Sequence, residues 1–128
     1  MRTINGIALD TFTEHYAICA LWSSTDDSND QGGQPLDANY GLDDITAETL
    51  QRMAADCADF QKACAQLLVE SGQSAEQSGH DFWLTRNRHG AGFWDRGLGK
   101  VGKDLTDMAH PYGECNLYVG DDQKIHAY

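Results

Sequence analysis

The stretch TAETLQRMAADCADFQKACAQLLVES, residues 46–71, decides the fold class that we expect for this chain. Its apolar side chains recur in steps of three and four residues, at Leu50, Met53, Cys57, Phe60, Cys64 and Leu67. This spacing places them along one face of a helix. Thr46 is a residue type that caps helix N-termini, and Glu48 adds favourable negative charge to the first turn. We therefore predict an amphipathic helix over residues 46–71.

The flanking sequence supplies the other predicted elements. Apolar residues at helical spacing predict a helix over residues 4–22, and alternation around Trp83 predicts a strand over residues 80–85. We also predict a helix over residues 100–110, and a hairpin of strands over residues 115–119 and 124–128. This order indicates an α+β fold, a small three-stranded, mainly antiparallel sheet packed with about three helices. The length of 128 residues suits a single domain spanning residues 1–128.

A long polar connection, residues 23–44, separates the first two predicted helices. It is rich in Asp, Ser, Asn and Gly, and loops of this length are commonly mobile or functional. Leu36, Tyr40, Leu42 and Ile45 are apolar anchors that would hold its second half to the core. Since residues 24–34 have no such anchor, we predict a mobile loop within 23–44, most mobile over residues 24–34.

The charge of the chain is strongly acidic and unevenly placed. Its 20 acidic and 9 basic residues give a net charge of −11, and the first 50 residues hold nine acids and one base. This balance argues against general binding to nucleic acids or to anionic membranes, and it suits a partner with a basic surface. The predicted partner-binding acidic face consists of Asp26, Asp27, Asp30, Asp37, Asp43 and Asp44.

Cysteine use and hydropathy predict a cytoplasmic protein in whatever cell makes it. The four cysteines show no CxxC spacing, so we predict four buried, reduced thiols at Cys19, Cys57, Cys64 and Cys115. No apolar run approaches the roughly 20 residues of a membrane span, and no secretory signal pattern is present. We therefore expect no membrane partner.

A glycine-rich segment, residues 86–97, combines arginine, aromatic and glycine residues within twelve positions. Its candidate binding residues are Arg86, Arg88, His89, Phe93, Trp94 and Arg96. Arginine forks and free backbone N–H groups suit phosphate or carboxylate, and the aromatic rings suit stacking. Equally, the glycines would make tight turns, the rings would fill the core and the arginines would pair with the abundant acids. Both interpretations stay open at the level of sequence.

No complete catalytic, metal or cofactor signature accompanies these features. The GxGxxG match at residues 97–102 has only 26 residues after it, too few for a dinucleotide-binding half-domain. The five histidines form no HxH or HxxxH pair. Cys115 with His110 lacks a third residue to orient a nucleophile and base. We therefore predict a non-enzymatic protein without metal or cofactor.

Two longer segments carry a resemblance to a known group of proteins. DFWLTRNRHGAGFWDRG (81–97) and CNLYVGDDQKIHAY (115–128) resemble a family of small, acidic, uncharacterised proteins borne by phages and plasmids, as do residues 20–29 and 36–45. Because the family has no established activity, the resemblance implies no catalytic residue. It implies a mobile-element gene, and by analogy an inhibitor of host defence of the anti-restriction or anti-CRISPR type.

Three functions follow as hypotheses. The first is an acidic binding protein that inhibits a nucleic-acid-binding defence protein by mimicking nucleic acid. The second is a nucleotide- or anion-binding module that uses the loop over residues 86–97. The third is an accessory protein whose acidity serves only solubility.

Overall fold

A computed structural model describes residues 1–26, 34–89 and 91–127 of the chain. Strand pairs lie near both ends and after the first helix, and four consecutive helices occupy the middle. Its elements, in chain order, are β1 (Arg2–Ile4), β2 (Ile7–Leu9), α1 (Thr11–Ser23), β3 (Thr25–Asp26), β4 (Gln34–Pro35), α2 (Ala47–Ala63), α3 (Ala65–Ser71), α4 (Ala75–Arg86), α5 (Lys100–Ala109), β5 (Leu117–Val119) and β6 (Ile125–Ala127). Short 3₁₀ turns cover Leu36–Ala38, Leu42–Asp44, Phe93–Asp95 and His110–Tyr112.

The α+β class is confirmed, but the predicted three-stranded sheet is wrong. Within the described ranges the strands pair two by two, all antiparallel: β1 with β2, β3 with β4, and β5 with β6. The β3–β4 ladder is only two residues long. The third strand of the predicted sheet is missing because the segment assigned to it is helical.

That segment, residues 80–85, lies within α4, so the strand prediction is wrong. Phe82, Trp83 and Leu84 are all buried, since other elements surround this part of α4 on every side. A helix buried all round has no polar face, and its apolar run resembles that of a buried strand. The helix begins at a capping residue, Ser74, whose Oγ accepts a hydrogen bond from the backbone N–H of Gln77 (3.1 Å).

The N-terminal segment forms a hairpin before α1, so the helix predicted over residues 4–22 begins late. Asn5 and Gly6 adopt positive φ angles of 51° and 81° and form the turn between β1 and β2. Asp10 then caps α1, and its Oδ1 accepts a hydrogen bond from the N–H of Thr13 (2.8 Å). Residues 11–22 of the predicted helix are confirmed.

The helix predicted over residues 46–71 is confirmed in outline, with a break. Thr46 caps α2 as expected, its Oγ1 accepting from the N–H of Thr49 (3.2 Å). At Cys64 the backbone leaves helical geometry (φ −112°, ψ 18°), and α3 starts at the next residue. The apolar stripe of α2 is buried as its spacing predicts.

The core forms around α1 and α4, which pack closely against each other. A side chain at Gly79 of α4 would place its Cβ 2.0 Å from the carbonyl oxygen of Phe12 in α1, so only glycine permits this approach. Around the contact, Phe60 stacks on Phe82 with ring centroids 4.1 Å apart, and Tyr16 meets Trp83 edge to face at 5.3 Å.

The C-terminal predictions are confirmed. Helix α5 occupies nearly its predicted range, and β5 pairs with β6 in the register Leu117–Ala127, Tyr118–His126 and Val119–Ile125. The predicted anchors of the long connection, Leu36, Leu42 and Ile45, are buried. Its predicted mobility stays a prediction. In the part of the chain that the structure describes, no helix has the length and apolar character needed to cross a membrane.

Candidate functional site

Arg86, the first residue of the predicted loop site, is part of the core. Its Nε donates to the carbonyl oxygen of Gly113 (2.9 Å) and its Nη2 to that of Tyr112 (2.9 Å). Its Nη1 donates to the hydroxyl of Tyr16 (3.0 Å) and to Oδ2 of Asp56 (2.7 Å). With its side chain buried and its donors engaged, Arg86 joins four segments of the fold instead of facing a ligand.

Arg96 neutralises a buried carboxylate. Asp81 of α4 has no exposed surface, and Arg96 clamps it with Nη2–Oδ1 at 2.8 Å and Nε–Oδ1 at 3.1 Å. The side-chain amides of Gln73 and Gln77 donate to the same carboxylate, at 3.2 Å and 2.9 Å. A charge-assisted fork of this kind is the usual condition for burying a carboxylate.

The other predicted loop residues lie in separate environments. Phe93 is fully buried in the core, whereas Trp94 is 56% exposed. Arg88 is exposed in a left-handed conformation (φ 56°), and His89 is exposed at the edge of a cleft. The six residues therefore do not converge on one anion site. The predicted structural role is observed for Arg86 and Phe93, and Arg96 forms an ion pair with Asp81.

Arg96 also borders a shallow hollow of about 410 Å³ that contains His15 and His80. The ring of Trp22, 57% exposed, lies 5.9 Å from the His80 ring. Burial lowers the pKa of His80, which favours the neutral imidazole. These neighbours come from α1 and α4 and not from the loop, and the predicted anion binding by the loop over residues 86–97 stays a prediction.

The predicted acidic face is described only in part. Asp27 and Asp30 lie outside the described residues, and Asp26 belongs to β3. Asp37 and Asp43 are exposed. Asp44 is half-buried, because its Oδ2 accepts a hydrogen bond from the backbone N–H of Gly41 (2.8 Å) and closes a 3₁₀ turn.

Two further aspartates, which the sequence analysis did not assign to a site, join Asp43 and Asp44. Ile45 forms a parallel bridge with Ile125, and the N–H of Thr46 donates to the carbonyl oxygen of Ile125 (3.1 Å). The bridge brings the segment with Asp43 and Asp44 beside the last hairpin, whose turn holds Asp121 and Asp122, and the exposed Lys124 lies between that turn and the bridge. We call this group the acidic surface: Asp43, Asp44, Asp121 and Asp122.

A cleft of about 550 Å³ opens in the described part of the chain. One wall is formed by residues 23–25 and the other by residues 115–119. Its floor comes from α4 and the residues after it, with Trp83, Asn87 and His89. Only His89 among these was singled out from the sequence, because the walls are brought together by tertiary packing alone.

Helix α4 fixes both walls of this cleft. The indole N–H of Trp83 donates to the hydroxyl of Ser23 (2.7 Å), which holds the first wall. The side-chain oxygen of Asn87 accepts from the backbone N–H of Cys115 (2.8 Å), and its NH₂ group donates to the carbonyl oxygen of Trp83 (2.9 Å). The cleft is thus held open by hydrogen bonds from one rigid element.

One cysteine, Cys115, contributes to the lining of the cleft. The cysteines are free thiols, three of them buried, and only Cys115 departs from the prediction, being half-buried in the cleft wall. Burial raises the pKa of Cys115, so its thiol stays protonated at neutral pH and is a weak nucleophile. Among the described residues, no group of three or more His, Cys, Asp or Glu side chains is arranged to hold a metal ion.

Comparisons of the chain with protein-family models, with curated proteins and with solved structures find no match. The resemblance to phage- and plasmid-borne proteins therefore stays a prediction.

Proposed function

We propose that this chain is a non-enzymatic binding protein that engages a basic surface of a partner through its acidic surface. The observation that supports the proposal is the bridge between Ile45 and Ile125, which joins two acidic turns that are far apart in sequence. Four carboxylates on neighbouring turns attract a cationic surface and accelerate its association.

The acidic surface has a local excess of negative charge, with four aspartates against the neighbouring Lys124 and His126. Elsewhere some exposed acids pair with a lysine: Lys100 lies 3.1 Å from Asp104, and Lys103 lies 3.0 Å from Asp107. In the acidic surface, Asp122 instead contacts His126 (3.1 Å), whose hydrogen bond lowers the pKa of the Asp122 carboxyl. The carboxylate therefore remains ionised well below neutral pH.

The mobile-element context suggests which basic surface is bound. Carboxylates displayed on a rigid surface replace phosphates in a nucleic-acid-binding groove, so the partner is a nucleic-acid-binding protein of host defence. This step rests on the resemblance of residues 81–97 and 115–128 to phage- and plasmid-borne proteins. A mimic of this kind competes with nucleic acid for its target, and its binding weakens as salt screens the charges.

Charge reversal at Asp43 and Asp121 tests the proposal without disturbing the fold. Both side chains are exposed, and neither carboxylate accepts a hydrogen bond within the described ranges. The matched control, Glu70→Lys with Asp95→Lys, changes the net charge equally at exposed positions of α3 and of the Phe93–Asp95 turn. Asp44 is left intact because it closes a turn.

The measurement is retention of proteins from a bacterial lysate on each immobilised variant, followed by elution with double-stranded DNA. We expect the wild type and the control to retain a common nucleic-acid-binding protein that DNA displaces. The Asp43→Lys, Asp121→Lys variant should lose it. Equal retention on all three, or retention that DNA and salt leave unchanged, would show that the acidic surface is not the interface.

A further inference from the structure

The geometry points to a second binding site: the cleft between residues 23–25 and 115–119 accepts an extended peptide segment of a partner protein as an added β-strand. This inference goes beyond the proposed function, because it uses no residue of the acidic surface. It rests on the hydrogen-bonding groups of the two walls, on the shape of the cleft and on its charge.

The wall at residues 115–119 contains β5, whose outer edge is the one that β6 does not cover. The N–H of Gly120 donates to the carbonyl oxygen of Lys124 (2.9 Å), which makes these two residues a hydrogen-bonded pair. Hydrogen-bonded and non-hydrogen-bonded pairs alternate along an antiparallel ladder. Leu117 and Val119 therefore belong to the non-hydrogen-bonded pairs, and their N–H and C=O groups point away from β6.

The outer edge of β6 confirms this alternation. Ile125 pairs with Val119 and must also direct its backbone groups out of the ladder. Its carbonyl oxygen does so, because it accepts the hydrogen bond from the N–H of Thr46. The edge of β6 is thus covered, whereas no hydrogen bond to the outward groups of Leu117 and Val119 occurs within the described part of the chain.

The opposite wall, residues 23–25, also has backbone groups that point away from their own ladder. The N–H of Leu36 donates to the carbonyl oxygen of Ser24 (2.9 Å), so these two residues form a hydrogen-bonded pair of the β3–β4 ladder. The next pair, Thr25 with Pro35, is then a non-hydrogen-bonded pair, and proline has no N–H to donate. The N–H and C=O groups of Thr25 therefore also point away from their ladder. Two strand edges whose outward groups on Leu117, Val119 and Thr25 have no backbone partner among the described residues therefore border one cleft.

The cleft is bordered by the edge of β5 and not by one of its faces. Successive side chains of a strand alternate between its two faces, so a cavity above one face contacts every second residue. Here five consecutive residues, 115–119, line the cavity, as do the consecutive residues 23–25. The contact therefore runs along the backbone, where an added strand would form its hydrogen bonds.

The volume of the cleft matches a short strand. Strands in a sheet lie about 4.8 Å apart, sheets stack about 10 Å apart and each residue advances about 3.3 Å, so one residue fills roughly 160 Å³. Three residues then fill roughly 480 Å³, and the cleft offers about 550 Å³. This agrees with the three-residue length of β5.

The charge of the protein indicates the kind of peptide. The cleft itself is lined by neutral side chains and His89, so the central residues of the added strand are uncharged. The chain as a whole carries a net charge of −11, and exposed Glu114 adjoins the wall at Cys115. Basic residues on either side of an uncharged, extended centre complement this arrangement.

Selection from a phage-displayed library of random nine-residue peptides tests the inference, with calorimetric titration of an enriched synthetic peptide. Val119→Pro removes the outward N–H at an edge position where proline is tolerated, and Val119→Ala is the matched control that keeps it. We expect Val119→Pro to weaken binding by about tenfold, the value of one hydrogen bond, and Val119→Ala to bind like the wild type.

Three further readouts complete the experiment. N-methylation of alternate peptide residues should abolish binding, because it removes the donors of an added strand. Bound peptide should slow alkylation of Cys115, which lines the cleft. The Asp43→Lys, Asp121→Lys variant should still bind the uncharged centre of the peptide, which separates this inference from the proposed function. Failure to enrich any peptide, or binding that tolerates both Val119→Pro and N-methylation, would overturn it.

Discussion

At the scale of single residues, buried charge decides the role of the arginine-rich loop. Arg86 and Arg96 have the composition of an anion site, yet each is directed to an acid of the same chain. Asp81 has no exposed surface, and an unpaired carboxylate in that position would lower the stability of the fold substantially. In the folded protein the guanidinium of Arg96 is therefore already paired with Asp81, and a ligand would have to compete with that carboxylate.

Replacement of Arg96 by alanine should consequently destabilise the protein. We expect the free energy of unfolding to fall by about 3 kcal/mol, somewhat less than for a fully buried pair since the Arg96 side chain is partly exposed. The two glutamine amides on Asp81 remain but bring no positive charge. Urea denaturation of wild type and variant measures the difference.

Arg88→Ala is the matched control, since Arg88 is an exposed arginine of the same loop. It should change the free energy of unfolding by less than about 0.5 kcal/mol. Adding Asp81→Asn to Arg96→Ala should recover part of the loss, because a neutral amide needs no counter-charge. A loss in Arg96→Ala no larger than that in Arg88→Ala would contradict the structural role of Arg96.

At the scale of elements, α4 organises the molecule. Its Gly79 permits the close approach of α1, and its aromatic residues fill the core. Trp83, together with Asn87 just beyond its last turn, holds the two walls of the cleft. The element that was predicted as a strand is therefore the one on which the core and the cleft both depend.

Gly79→Ala should destabilise the protein although alanine favours helices. In an ordinary helix interior this change raises stability by about 1 kcal/mol. Here the added Cβ would lie 2.0 Å from the carbonyl oxygen of Phe12, so α1 must move away. We expect a net loss of about 2 kcal/mol, within the range for overpacked sites, measured as a lower melting temperature.

Gly41→Ala serves as its control, because a Cβ at Gly41 would meet no atom within 4 Å. That variant should melt within a degree or two of the wild type, since the backbone there needs no left-handed conformation. If Gly79→Ala proved as stable as Gly41→Ala, the close packing of α1 on α4 would be wrong.

At the scale of the whole molecule, net charge sets the response to salt. With a net charge of −11 on 128 residues, the surface carboxylates repel one another. The screening length falls from about 30 Å at 0.01 M to about 8 Å at 0.15 M ionic strength, so added salt weakens this repulsion. The exposed pairs that salt also weakens, such as Lys103 with Asp107, contribute little. We expect the melting temperature to rise by a few degrees between these two conditions.

The variant with Asp43→Lys and Asp121→Lys provides the comparison, because it reduces the magnitude of the net negative charge, from −11 to −7. Its melting temperature should depend less on salt than that of the wild type, as thermal denaturation at both ionic strengths would show. A wild-type melting temperature that falls with added salt would mean that attractive pairs outweigh the repulsion.

The sequence by itself determined the features that depend on local patterns. The three-four spacing from Leu50 to Phe60 and the cap at Thr46 predict α2, and the polar turn over residues 120–123 predicts the last hairpin. Two local signals were present but not used: the Asn5-Gly6 turn and the Ser74 cap with Gln77 three residues later. Both report on backbone conformation within a few residues, without tertiary contacts.

Only the tertiary structure decided what depends on residues distant in the chain. Residues 81–86 of α4 are all buried, so this stretch has no exposed polar face to show its period. The partners of Arg86 and Arg96, the bridge from Ile45 to Ile125 and the two walls of the cleft all join separate segments. Composition shows which charged residues the chain contains, but only packing determines which groups they face and which strand edges stay uncovered.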